Sequence, residues 1–205
     1  MRRIYLGAAS RYPALMKPPS SQNPGDALRQ IRQPTPQTFD IHIASDGSWY
    51  HEGGLIGRPA LVKLFASVLR READGSFWLV TPVERGTITV EDAPFIVTSM
   101  EVEGDGEEQQ VRFRTNVEDD VVLGPDHPLQ MRADPAAPGN RDGWRPYVVV
   151  RDGLEARLSR PVFYELAALS IAGADGRFGV WSQHVFFPLE ADAEEADAEE
   201  RDGSA

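Results

Sequence analysis

Two arginines stand at matched places in this chain, each followed by proline: Gly57-Arg58-Pro59 and Ser159-Arg160-Pro161. Proline favours the first turn of a helix, where free N–H groups and the positive end of the dipole face outward. Arg58 and Arg160 therefore stand where an anion can dock, and a guanidinium adds a bidentate partner for phosphate. A salt bridge to a carboxylate on a neighbouring strand would explain the same placement. A second set lies in Val111-Arg-Phe-Arg-Thr-Asn-Val117, where Val111, Phe113, Thr115 and Val117 share one face of a strand. The other face carries Arg112, Arg114 and Asn116. Arg114 and Asn116 are read as ligand contacts, although a solvated face of an antiparallel sheet has the same pattern. Glu84 and Glu91 are read as ion-pair partners. Arg85 and Trp181 complete a candidate interface set of Arg58, Arg85, Arg114, Asn116, Arg160 and Trp181.

Catalytic chemistry has weaker signals. His42, His51, His127 and His184 lack the i, i+4 or His-x-His spacing of a metal site. His127, in Asp126-His127-Pro128, reads as part of a structural turn rather than a general base. A metal-independent hydrolase or isomerase would have to use Glu91, Asp92 or His127, and no nucleophile–base pair has recognisable spacing. Nucleophile-elbow, Walker-type, dinucleotide-binding and EF-hand motifs are all missing from the sequence. The expectation is a binding module with no catalytic residue, no metal and no cofactor.

The elements that must position these residues are mostly strands. Phe39–Ile43 alternates apolar and polar, Asp46-Gly47 marks a hairpin turn, and residues 49–52 return as the partner strand. A helix of about 12 residues then starts at Pro59, with Leu61, Leu64, Phe65, Val68 and Leu69 expected on one face. Ala73-Asp74-Gly75 ends it and leads into a strand at 77–81. Strands follow at 87–90, 95–102 and 111–117, then a Pro/Gly-rich loop at 132–143. Residues 147–150 and 153–157 form a hairpin around Asp152-Gly153. Ser159 is the expected cap of a second helix, 160–172, with Phe163, Leu166, Ala167 and Ile171 inward. Asp175-Gly176 turns into strands at 178–181 and 185–189.

This order is written twice. Residues 58–71 align with 160–173, and after one skipped residue 73–78 align with 174–179, with eight of the 20 pairs identical. Such self-similarity marks a structural repeat, and the cleft between two repeats is a natural ligand site. The fold class expected is α+β with mostly antiparallel strands and an internal duplication, hairpin–helix–turn–strand twice.

Charge is unevenly spread along the 205 residues, whose net charge is −11. Residues 1–39 hold six basic and one acidic side chain, and residues 190–205 hold eight acids and one arginine. The acidic body disfavours nucleic acid, which is bound by neutralising phosphates. The chain has no cysteine, so disulfides and thiol chemistry are excluded. No apolar run reaches the roughly 20 residues of a membrane span, and the apolar stub after Met1-Arg-Arg is too short for a secretory signal. A cytoplasmic protein is expected. Residues 1–19 read as a loose arm, with a helix start at Asn23-Pro24; the stretch from 189 reads as a disordered acidic tail.

Longer motifs add a resemblance. Gly57–Arg71, Trp78–Glu84, Val90–Phe95, Phe113–Asn116, Gly124–Leu129, Tyr147–Leu158 and Gly179–Ser182 together resemble the bacterial domain-of-unknown-function family 1285. The resemblance implies a duplicated two-domain α+β fold whose C-terminal half is like a pleckstrin-homology barrel. It also implies a binding site between the halves for a nucleotide-like ligand and a role in signal transduction. With a barrel-like second half the domains are expected at 20–81 and 82–188. The expected partners are a small anionic ligand or, as an alternative, a protein bound by an adaptor.

Overall fold

The computed structural model of the protein describes residues 35–133 and 143–190. The expected arm, the helix start at Asn23-Pro24, most of the 132–143 loop and the acidic tail lie outside them.

In chain order the first half has β1 (Pro36–Ile43), β2 (Trp49–His51), β3 (Gly54–Leu55), α1 (Pro59–Val68), β4 (Leu69–Arg71), β5 (Phe77–Val80) and β6 (Arg85–Val90). Its strands form one six-stranded sheet in the order β3-β2-β1-β6-β5-β4. The second half begins with β7 (Phe95–Glu103), a 3-10 turn at Gly106–Glu108, β8 (Gln110–Thr115), β9 (Asp120–Val122) and β10 (Leu129–Ala133). It continues with β11 (Trp144–Arg151), β12 (Leu154–Leu158), α2 (Arg160–Ala168), β13 (Ile171–Ala172), β14 (Phe178–Ser182) and β15 (Val185–Pro188). Strands β10-β11-β12-β7-β8-β9 make a second sheet, a curled half-barrel, and β13-β14-β15 make a third. The fold is α+β. All strand pairs are antiparallel except β1 with β6 and β7 with β12. The first sheet includes β6 and so runs past the boundary expected at residue 82.

The repeat has matching local chemistry. In each copy a helix is followed by a short strand, an Asp-Gly turn and a longer strand, directly in the first and after Leu169-Ser170 in the second. Gly75 and Gly176 take φ of 84° and 82°, where a side chain would strain the backbone. Asp74 accepts the Ser76 N–H at 2.9 Å, and Asp175 accepts the Arg177 N–H at 3.1 Å. These contacts pull both aspartate carboxyls below their ordinary range, with the side chain of the same partner the larger cause in each case.

Alternation fills the core as expected in Val111–Val117, where Val111, Phe113, Thr115 and Val117 are all buried. One hydrophobic cluster joins both halves, from Ile43, Trp49 and Leu79 to Phe95, Phe113, Leu154 and Leu166. The helices depart from the expected faces. Helix α1 stops at Val68 because Leu69 turns extended (ψ 138°) and pairs with Leu79, both buried in the sheet. On this helix Leu64 is 60% exposed, and Ala66 is the buried residue. In α2 the buried pair is Val162 and Leu166, while Ile171 belongs to β13 and is 51% exposed. Ser159 makes no side-chain cap; its N–H instead donates to the Val97 carbonyl at 3.1 Å.

Candidate functional site

Strands β10, β11 and β12 form a meander whose register follows from its turn. Asp152 and Gly153 both take positive φ (46° and 73°), the geometry of a two-residue hairpin loop that suits strand twist. Opposite residues then share a face. Gln130 pairs with Tyr147 and Tyr147 with Arg157; Arg132 pairs with Arg145, and Val149 with Glu155. The other face, with Val148, Val150, Leu154, Ala156 and Leu158, is core. The meander therefore gathers arginines, a tyrosine and a glutamate on the side that meets the first half.

Two carboxylates organise this face. Glu155, only 8% exposed, accepts both terminal nitrogens of Arg132, with Nη1 to Oε2 at 2.8 Å, and Arg71 Nη1 of β4 reaches it at 3.3 Å. Arg71 also donates to the Gly153 carbonyl at 3.1 Å. Asp92, in the link between β6 and β7, accepts the Tyr147 hydroxyl at 2.6 Å. Its other oxygen lies 3.0 Å from Arg157 Nε and 3.5 Å from Arg145 Nη1. The Arg157 contact is close but misaligned, so Arg157 Nε and Asp92 Oδ2 are shut off from solvent without a well-formed hydrogen bond. Arg157 Nη2 donates to the Ser45 carbonyl at 2.6 Å, tying the meander to the β1–β2 loop.

The electrostatics follow from this packing. Burial, then the Asp92 hydrogen bond and its negative charge, push the Tyr147 hydroxyl up to about 12. The Arg132 guanidinium, hydrogen-bonded to Glu155 and stacked 4.8 Å from the Tyr147 ring centre, is held still more firmly protonated than usual. Beside this cluster, Glu91 accepts the Ser45 N–H at 2.8 Å and contacts His42 Nε2 at 2.8 Å. Both contacts, the Ser45 N–H first, draw its carboxyl below the ordinary range. Planar guanidiniums held in place beside a neutral phenol suit a carboxylate or phosphate. Among the described residues, no group of His, Asp and Glu could hold a metal ion.

The residues singled out from the sequence are distributed more widely. Asn116 reaches the same β1–β2 loop: its Oδ1 accepts the Ile96 N–H at 3.1 Å and its Nδ2 donates to the Gly47 carbonyl at 3.2 Å. Arg114 forms ion pairs with Asp120 at 3.1 Å and Glu118 at 3.8 Å. Arg85 lies 4.4 Å above the Trp78 ring and 3.5 Å from Glu72. Trp181 packs edge-on against Phe186, and its carbonyl accepts Gln109 Nε2 at 2.9 Å. Arg58 and Arg160 are exposed at the starts of α1 and α2. Glu91 is paired, whereas the exposed Glu84 shapes its turn through its backbone, with Thr81. His127 Nδ1 contacts the Val149 carbonyl at 3.0 Å. Arg71, Arg132, Tyr147, Glu155 and Arg157 escaped the sequence reading. Their signal was Glu155 and Arg157 alternating with apolar residues in a strand, read across the Asp152-Gly153 turn to Tyr147.

Residues 30–93 match the family model for the domain of unknown function DUF1285, N-terminal domain, and residues 94–189 match the DUF1285 C-terminal domain. A crystal structure of a DUF1285 family protein from Silicibacter pomeroyi DSS-3 is similar at 45% identity and a TM-score of 0.71, covering 80% of this chain and 86% of that one. Another, from Shewanella baltica OS155, has 25% identity and a TM-score of 0.47 over 62% of this chain and 89% of that one. No curated protein matches the chain. No helix among the described residues is long and apolar enough to cross a membrane. With both family models matched in order and together spanning most of its length, the chain belongs to the DUF1285 family.

Proposed function

We propose that this protein is a non-enzymatic module that binds a small anionic, nucleotide-like ligand where its two halves meet, in a signalling role. One observation carries the reading: Arg71 and Arg132 meet from the two halves at Glu155, on the same sheet face where Arg157 makes a misaligned contact with Asp92. A buried polar pair without good hydrogen bonds is costly unless something completes it. A phosphate oxygen beside Arg157 would give its Nε an aligned acceptor, while Asp92 keeps the Tyr147 hydroxyl and Arg145. Glu91, Asp92 and His127 are each engaged in hydrogen bonds that hold the fold, which favours binding over turnover. A protein-interaction adaptor is the second reading, favoured by β15, which ends its sheet among the described residues.

Thermal unfolding of the full chain with mononucleotides, dinucleotides, cyclic nucleotides and pyrophosphate tests the reading. A ligand at 100 times its Kd stabilises by about 2.7 kcal/mol. Arg132→Gln is expected to abolish that gain, and parallel titrations of Arg58→Ala and Arg114→Ala test the arginines singled out from the sequence. If no nucleotide or pyrophosphate shifts the transition, the reading fails.

A further inference from the structure

The two copies of the repeat differ on the outward face of their last hairpin. The match of residues 73–78 with 174–179, carried two residues on, sets Val80 of β5 beside Trp181 of β14. Their cross-strand partners are then equivalent: Val80 pairs with Arg85 of β6, and Trp181 with Phe186 of β15. Leu79, Val180 and Phe187 are buried, so alternation turns Trp78, Val80 and Arg85 outward in the first copy and Trp181 and Phe186 in the second. The first copy stacks a cation of its own there, with the Arg85 guanidinium 4.4 Å over the Trp78 ring. Arg71 on Phe77, Arg132 on Tyr147 and Arg151 on Phe95 repeat the contact elsewhere. In the second copy a ring, Phe186, stands at the place of the arginine.

That aromatic face is held firmly. A Cβ on Gly179 would lie 2.6 Å from the Phe186 ring and one on Gly173 2.7 Å from it, so the ring rests against bare backbone. Trp181 meets Phe186 edge-on with ring centres 5.4 Å apart, and both rings stay partly exposed. The exposed Ile171, paired with Gly179, extends the apolar area.

Charge selects the occupant. The 3-10 turn at Gly106–Glu108 is fastened to the β14–β15 turn. The Gln183 N–H donates to the Gln109 carbonyl at 2.9 Å, the His184 N–H to the Glu107 carbonyl at 3.0 Å, and Gln109 Nε2 to the Trp181 carbonyl at 2.9 Å. Glu103, Asp105, Glu107 and Glu108 are all exposed on and before this turn, and no basic residue occurs from 86 to 111. None of the four forms a salt bridge among the described residues. Rings bordered by unpaired carboxylates suit a guanidinium, which stacks by its plane and donates from its edge. The same carboxylates repel a nucleic-acid strand, whose bases would otherwise stack on such rings.

We propose that the outward face of β14 and β15 docks an arginine-bearing basic segment of a partner protein. A partner arginine lies on Trp181 and Phe186 as Arg85 lies on Trp78, and a neighbouring basic residue meets Asp105, Glu107 and Glu108. The surface shares no residue with the face of Arg71, Arg132 and Arg157, so it stands apart from the ligand reading.

The test titrates the full chain into a fluorescently labelled octapeptide alternating arginine and glycine, read by anisotropy. The Trp181 indole N–H is followed by NMR and assigned through Trp181→Phe. The expected result is saturable binding with a shifted Trp181 signal. Lysine in place of arginine weakens binding about threefold or more, and citrulline, which keeps the shape without the charge, abolishes it. Asp105→Asn, Glu107→Gln and Glu108→Gln together, all on exposed side chains, weaken it about tenfold and flatten its salt dependence. Trp181→Leu also weakens it about tenfold, because an aliphatic side chain has no π face. No binding, equal affinity for the lysine peptide, an unmoved Trp181 signal, or undiminished binding by the triple variant or by Trp181→Leu overturns the proposal. So does a Trp181 signal that moves with protein concentration in the absence of peptide, which would assign the face to a second copy.

Discussion

Asn116 holds three chain segments together with one amide. Its oxygen takes an N–H from Ile96 and its nitrogen gives one to Gly47, 20 and 69 residues away in sequence. Asn116→Ala strands the buried Ile96 N–H and is expected to cost about 1–2 kcal/mol, measured as a lower urea midpoint with unchanged slope. This separation explains why the residue read as a ligand contact from the sequence. An amide on the polar face of a half-apolar strand signals a polar partner, and one strand's pattern cannot say whether that partner is a guest or a distant loop. Tyr147 gives a second expectation. Its hydroxyl is raised from 10.0 to about 12, so the folded state retains a proton that the unfolded chain releases. The resulting stabilisation is complete below pH 10 and is lost as pH rises towards 12. Absorbance titration of tyrosinate should show a late-ionising group near pH 12 that vanishes in Tyr147→Phe, provided the chain stays folded.

At the scale of elements, the strands were easier to read than the helix faces. Alternation over Phe39–Ile43 and Val111–Val117 located strands that the fold contains, because a sheet with one buried face enforces a period of two. The helices were read too long, the first by about two residues and the second by four. Leu69 and Ile171 continue a helical apolar stripe, yet both enter strands, where Leu69 finds a sheet partner that the stripe cannot anticipate. Glycines carry information that the pattern missed. A Cβ on Gly179 would stand 2.4 Å from the Phe187 carbonyl and 2.6 Å from the Phe186 ring. Gly179→Ala is therefore expected to destabilise by about 1–3 kcal/mol, since a backbone oxygen cannot move aside as a flexible side chain would. Gly75→Ala meets nothing within 4 Å but carries φ of 84°, so its cost comes from the backbone alone. The thermal midpoints of the two variants separate crowding from conformational strain.

For the molecule as a whole, the duplicated plan was legible and the site was not. Arg58 and Arg160 stand at equivalent helix starts, as the repeat implied, but the arginines of the shared face come from β4, β10 and β12. Their meeting depends on sheet order, which no local spacing encodes. Because one hydrophobic cluster runs through both halves, neither half is expected to unfold alone. Fluorescence of Trp49 in the first half and Trp181 in the second, each isolated by Trp→Phe substitution elsewhere, should give superimposable urea curves; separate midpoints would mean two independent folding units. The two parallel pairings also bear on how the polypeptide is made. Strand β1 waits for Arg85–Val90 before its inner edge is covered, and β7 waits for Leu154–Leu158. On the ribosome, then, each lobe emerges with a bare strand until a distant stretch has been translated, and late in synthesis the nascent chain offers chaperones a backbone edge that the finished protein hides.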